Sequence, residues 1–71
     1  MKKYAVVIEK TGNGWGAYVP DLDGCIAAGD TEEETLQLIR GAIKMHLDGM
    51  REDGDSIPEP TTLVDYVALA S

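Results

Sequence analysis

From Tyr4 to Ile8 the chain is an unbroken apolar run, closed by Glu9. Tyr4, Val6 and Ile8 fall on one side, Ala5, Val7 and Glu9 on the other, and the β-branched and aromatic content fits a first strand. Thr11-Gly12-Asn13-Gly14 supplies residues that tolerate positive φ in a tight hairpin, and Trp15 to Val19 reads as the antiparallel return. Pro20, with no amide to donate, ends that strand. After the loop Asp21-Leu22-Asp23-Gly24, the small residues of Cys25 to Ala28 read as a brief third strand on which a helix can sit closely.

The period then changes. Thr31 followed by Glu34 is a capping-box pattern, and Leu36, Ile39, Ile43, Leu47 and Met50 recur at steps of three and four, one apolar stripe of a helix. Gly41 interrupts that helix at a cost of about 1 kcal/mol against alanine, which favours a point of close packing on the sheet. Asp53-Gly54 stops the helix, and Ile57-Pro58-Glu59-Pro60 is stiff and extended. Val64 to Leu69 alternates again, with Val64, Tyr66 and Ala68 against Asp65, Val67 and Leu69, and reads as a last strand.

The order β-β-β-α-β predicts an α+β fold of two layers: one mostly antiparallel sheet with one helix packed on it, a single domain over residues 1–71. One helix covers one sheet face, while both faces of the first and last strands carry apolar residues. A chain this short is near the lower limit for folding alone. Self-association, as a dimer or tetramer, is therefore expected, through strand edges or the open sheet face.

Thirteen acids against six bases give a net charge of −7, which opposes contact with a polyanion and suits a basic protein partner. Between Lys10 and Arg40 stand Asp21, Asp23, Asp30, Glu32, Glu33 and Glu34 with no base among them, so one end of the molecule should carry a negative field. No basic stripe and no second helix for a helix-turn-helix is present, and no nucleic-acid binding by this chain alone is expected. A single cysteine forms no internal disulfide and fits a reducing compartment. With no secretory pattern at the start and no apolar run near the ~20 residues that span a bilayer, the expected location is the cytoplasm, without membrane attachment.

Candidate chemistry is sparse. His46, the one histidine, has no nucleophile and orienting acid suggested beside it. Cys25 stands among acids that would raise its pKa. Asp21-Leu22-Asp23 begins like a calcium loop with Glu32 twelfth, but Cys25 and Ile26 would occupy the third ligand and sharp-turn positions, so the oxygen set fails. Gly12-Asn13-Gly14-Trp15-Gly16 precedes a strand and lacks the Lys-Ser/Thr pair of a phosphate loop. Two-metal phosphodiester cleavage would need converging carboxylates, and Glu9, Asp21, Asp65 and the helix-start glutamates mostly have structural explanations. No enzyme activity, metal or cofactor is expected.

The continuous run of Asn13-Gly14 turn, aromatic strand, Pro20-Asp21-Leu22-Asp23-Gly24-Cys25 loop, short strand and Gly29-Asp30-Thr31 helix start resembles the HicB antitoxin family. The resemblance covers nearly all of the chain. Asp23 stands where the family's loop usually has a second proline, and Glu34 where alanine is common just inside the helix. The resemblance implies a reduced ribonuclease-H-like fold. It further implies the antitoxin of a type II pair, occluding the RNA-binding face and catalytic histidine of a small basic HicA-like toxin that cleaves mRNA. No carboxy-terminal DNA-binding module accompanies this stretch, so autorepression is not assigned. Asp21, Leu22 and Asp23 are the expected loop contacts and Trp15 and Tyr18 the candidate anchors, since aromatics dominate interface energetics. The alternative is an orphan homo-oligomeric protein of the same fold that holds no toxin.

Overall fold

The computed structural model describes residues 2–70; Met1 and Ser71, the ends of the expected 1–71 domain, lie outside the described residues. Strands β1 (Val7–Lys10), β2 (Trp15–Tyr18) and β3 (Ile26–Gly29) form an antiparallel sheet in the order β1-β2-β3, and α1 (Glu32–Glu52) packs on it. This is the expected α+β architecture of one antiparallel sheet and one helix.

Register places Ile8, Ala17 and Ala27 in one row across the sheet, and Val7, Tyr18 and Ile26 in another. Alternation sends these two rows to opposite faces. The first row faces α1. Ile39, fully buried, sits among Ala17, Val19, Leu22 and Cys25, with Tyr4, Val6, Ile8, Ala27, Ala42, Ile43 and Leu47 packed around them. The second row forms the open face.

The buried stripe of the helix differs from the expected one at its start. Thr35 is fully buried while Leu36 is partly exposed, because Thr35 satisfies its hydroxyl by donating to the Thr31 carbonyl at 2.8 Å. A small, satisfied side chain lets the first turn approach β3. The approach is tight: a Cβ on Gly29 would lie 2.7 Å from Thr35 Oγ1, and one on Gly14 would lie 2.6 Å from the Gly29 carbonyl oxygen.

The capping box forms. The Glu34 amide donates to Thr31 Oγ1 at 3.0 Å, and Glu34 Oε1 accepts from the Asp30 amide at 2.9 Å. The first satisfies a donor that the helix itself leaves free, while the second lands on the residue before the Thr31 cap instead of on the cap amide. The far end closes as a Schellman motif. Gly54, at φ +75, donates to the Arg51 carbonyl, and the Asp55 amide donates to that of Met50.

Three expectations are corrected. The β1–β2 connection uses no left-handed residue: the positive-φ glycines are Gly24 and Gly54, and Gly14 is required by its approach to Gly29 instead. Gly41 packs on nothing, since a Cβ there would meet no atom within 4 Å. Among the described residues no strand follows α1, so the fourth strand expected at Val64–Leu69 does not form within this chain. A strand needs an edge to pair with, and the chain is led away from one. Tyr4 donates to the Pro58 carbonyl at 2.6 Å and Lys2 pairs with Glu59 at 3.1 Å. Thr61 and Thr62 are then tied to Asp21, beyond the exit of β2.

These contacts set opposite expectations for two glycines. Gly41→Ala should stabilise the domain by about 1 kcal/mol, whereas Gly29→Ala should destabilise it by about 1–3 kcal/mol through overpacking against Thr35 and Glu34. Urea unfolding followed by circular dichroism distinguishes them; equal effects of the two would contradict the packing described.

Candidate functional site

The loop between β2 and β3 is two linked turns. The Leu22 amide donates to the Val19 carbonyl and the Cys25 amide to that of Leu22, both at 3.1 Å, while the Val19 amide donates to the Cys25 carbonyl at 3.2 Å. Gly24 takes φ +79, a conformation that a side chain would strain. The turn points Leu22 inward: it is 1% exposed and forms part of the core. Asp23, the next residue, is exposed.

Asp21 is held by the other end of the chain. Its Oδ2 accepts from the amides of Thr61 at 3.1 Å and Thr62 at 3.0 Å, and its Oδ1 accepts from the hydroxyls of Thr61 at 3.2 Å and Thr62 at 2.8 Å. The Thr62 amide, then the Thr62 hydroxyl, hold its carboxyl below the ordinary carboxylate range. Four accepted hydrogen bonds account for this carboxylate without a cation. Among the described residues, no three His, Cys, Asp or Glu side chains come together as a set that could hold a metal ion.

Tyr18 and Trp15 lie on opposite faces, as the strand alternation requires. Tyr18 is 44% exposed on the open face, flanked by Val7 and by Ile26, itself 70% exposed. This apolar row lies beside the loop that carries Asp23. Sequence alternation made Tyr18 legible, but Ile26 became part of the same patch only through the register of β3. Trp15 is half-buried at the opposite end of the sheet, paired with Gly29, and the Lys10 ammonium sits over its ring 5.2 Å from the centroid. That position suits a cation–π contact.

The acids do not gather at one end, as their closeness in sequence suggested. Asp21 and Asp23 precede β3 and Asp30 to Glu34 follow it, so the strand separates them by roughly 13 Å at about 3.3 Å per residue. Two acidic patches result. The first adjoins Tyr18; the second adjoins Trp15 and the positive end of α1.

Cys25 is buried, and burial, not the neighbouring acids, pushes its thiol up. His46 is half-buried on α1, close to Gly24, Cys25 and Ile26. On the wet face of the helix, Asp48 accepts from Lys44 at 3.0 Å and Arg51 at 3.3 Å, and the Lys44 contact leads in lowering its pKa. No helix among the described residues is long and apolar enough to cross a membrane.

Comparison with known proteins matches this geometry to one family. The profile described as "HicB_like antitoxin of bacterial toxin-antitoxin system" matches residues 4–70. A 14.9 kDa protein from the rep-hol intergenic region of Haemophilus phage HP1 is 38% identical over 64 residues, which is 90% of this chain and 48% of that protein. Antitoxin HicB 2 of Photorhabdus laumondii is 35% identical over 60 residues, 84% of this chain and 43% of that protein. The chain thus spans about half the length of these two relatives. Among solved structures, a chain of the "HicA3 and HicB3 toxin-antitoxin complex" superposes with a TM-score of 0.66 at 32% identity, covering 87% of this chain and 70% of that one. The matched span takes in the strands, the acidic loop, the capped helix and the segment that Asp21 holds, and the chain belongs to the HicB-like antitoxin family.

Proposed function

We propose that this chain neutralises a small basic HicA-like toxin by covering the surface with which that toxin binds and cleaves mRNA. The observation that carries the reading is the exposed Tyr18, in register between Val7 and Ile26 on the open face, at the end of the sheet from which the loop with exposed Asp23 leaves. An apolar centre with an acidic margin is complementary to a cationic RNA-binding surface. The apolar row offers area to desolvate, and the charge speeds encounter and disfavours acidic competitors. The structural relative from a toxin–antitoxin complex supports this direction.

In this reading Tyr18 is the anchor and Asp23 the direct loop contact. Leu22 and Asp21 act through the shape of the loop, Leu22 by filling the core beneath it and Asp21 by tying it to Thr61 and Thr62. Trp15, with the second acidic patch, forms an outer contact at the other end of the sheet. The chain acts by binding alone, as a single domain in the cytoplasm, without cofactor or metal, and self-associates. It does not bind nucleic acid unaided, because its charge of −7 makes phosphate contact repulsive instead of counterion-releasing. An orphan role, with self-association but no toxin, is the competing reading.

Co-expression with an adjacent reading frame for a small basic protein should rescue growth, and capture of that protein should be measurable. Tyr18→Ala should speed dissociation and cost about 2 kcal/mol or more. Asp23→Asn should mainly slow association and weaken its dependence on salt, with dissociation little changed. Surface-binding kinetics at two salt concentrations separate these effects. Failure of the folded parent to bind the basic neighbour would support the orphan reading.

Asp21 has a pH signature of its own. Its folded pKa is depressed, so its contribution to stability is present above the unfolded value and is lost as pH falls through the folded one. Hydrogen exchange at the Thr61 and Thr62 amides, compared with an unfolded reference at each pH, should lose protection over that acid range. Asp21→Asn should shift the loss away from that window and leave protection weaker at neutral pH. A parent-like profile in the variant would remove Asp21 from this role.

A further inference from the structure

Past Thr62 the chain becomes an apolar arm with nothing covering it. Leu63, Tyr66, Val67 and Leu69 are each more than four-fifths exposed, and Val64 more than half. Its β-branched and aromatic residues suit a strand, and Leu63 to Ala70 includes no glycine, proline or asparagine that would mark a flexible or tightly turning linker. The radius of gyration, 13.9 Å, exceeds the roughly 11 Å expected of a compact chain of this length. The arm is anchored at its root, where Asp21 holds both threonines.

Elsewhere in the fold is a groove of matching character. It has a volume of about 440 Å³, with Val6, Leu36, Ile39 and Ile43 among its apolar lining and Lys2, Lys3 and Arg40 at its basic rim. Three of the protein's six bases are thus gathered around one apolar groove. It exists because α1 lies chiefly over β3 and β2 and touches β1 least. On its sheet side the groove is lined by Lys2, Lys3, Tyr4 and Val6, the segment that leads straight into β1, and β1 pairs with β2 on one side and has no backbone partner on the other among the described residues. A strand added along the free edge of β1 and continued beside Val6 and Tyr4 would send alternate side chains into the groove.

The arm of the same molecule is badly placed to do this. Residues 58 and 59 pass Tyr4 and Lys2, but the Asp21 clamp then carries the chain beyond β2. Return to β1 would require a reversal directly after Thr62. A basic toxin is also a poor occupant, since Lys3 and Arg40 would repel it, Lys2 being already paired with Glu59. A second copy has the required chemistry: an apolar strand carrying Asp65 as its one charge, which the basic rim can pair.

We propose that Leu63–Leu69 of each copy adds as a fourth strand to the outer edge of β1 in a second copy, reciprocally, forming a two-fold dimer. Two arms of seven residues would bury roughly 2,000 Å² in total, within the range of stable interfaces. The exchange satisfies the β1 edge, fills both grooves and covers both arms. It rests on the self-association part of the reading above and is independent of the toxin.

The test uses the whole chain without any partner. Light scattering at micromolar concentration should return twice the chain mass. In a sample mixing ¹³C-labelled and unlabelled chains, isotope-filtered NMR should detect contacts between arm methyls of one molecule and Leu36, Ile39 or Ile43 of another. Val67→Pro, which removes a ladder donor, and Asp65→Lys, which opposes the rim, should each weaken the dimer by about tenfold or more with helix content unchanged. A monomeric parent, arm contacts confined within one molecule, or a dimer that both variants leave intact would overturn the proposal. Toxin capture, measured separately, decides the neutralisation reading whichever way this result falls.

Discussion

Everything in this small body depends on the seat of Ile39. That side chain is fully buried among Ala17, Val19, Leu22 and Cys25, and no second helix contributes to the cluster. For the seat to close, the first turn of α1 must come down onto β3, where Gly29 leaves space for Thr35 and Glu34. The helix is consequently drawn toward β3 and away from β1. One packing choice thus sets three outcomes: a tight capped start over β3, an uncovered row of Val7, Tyr18 and Ile26 on the reverse face, and a groove beside β1.

Asp21 provides the second constraint. Its carboxylate joins the β2–β3 loop to a segment about forty residues later, so the loop that carries Asp23 and the root of the arm are tied together. Because the bonds go mainly to backbone amides and threonine hydroxyls, the anion is stabilised without a neighbouring base, and the acidic character of the loop is retained. The two proposed contacts, a partner at the loop and a second copy at the arm, would therefore be adjacent while using different surfaces: the open face and the groove beside α1.

The charge pattern gains meaning from this division. An acidic chain of net −7 keeps three of its six bases around the groove and sets its two acidic patches at the ends of β3. Such a distribution attracts a cationic partner to the patches and repels it from the groove rim, which would keep the two proposed surfaces apart.

Much was legible in the residues themselves, because it rests on local chemistry. The capping box at Thr31 and Glu34, the Gly54 stop, the alternation that sends Trp15 and Tyr18 to opposite faces and the order of three strands and a helix all follow from period and from residue conformational preference. The order of turn, aromatic strand, acidic loop and capped helix also carried the family. What the residues could not reveal depends on contacts between distant segments. The hold of Thr61 and Thr62 on Asp21, from the far end of the chain, and the inward turn of Leu22 into the core are of this kind. Gly41 suggested close packing but faces open space, while Gly29 carries the close approach. Val64 to Leu69 has the alternation of a strand, yet alternation specifies only a willingness to pair; whether an edge lies within reach is decided by where the tertiary fold anchors the chain, and here that anchor leads it away.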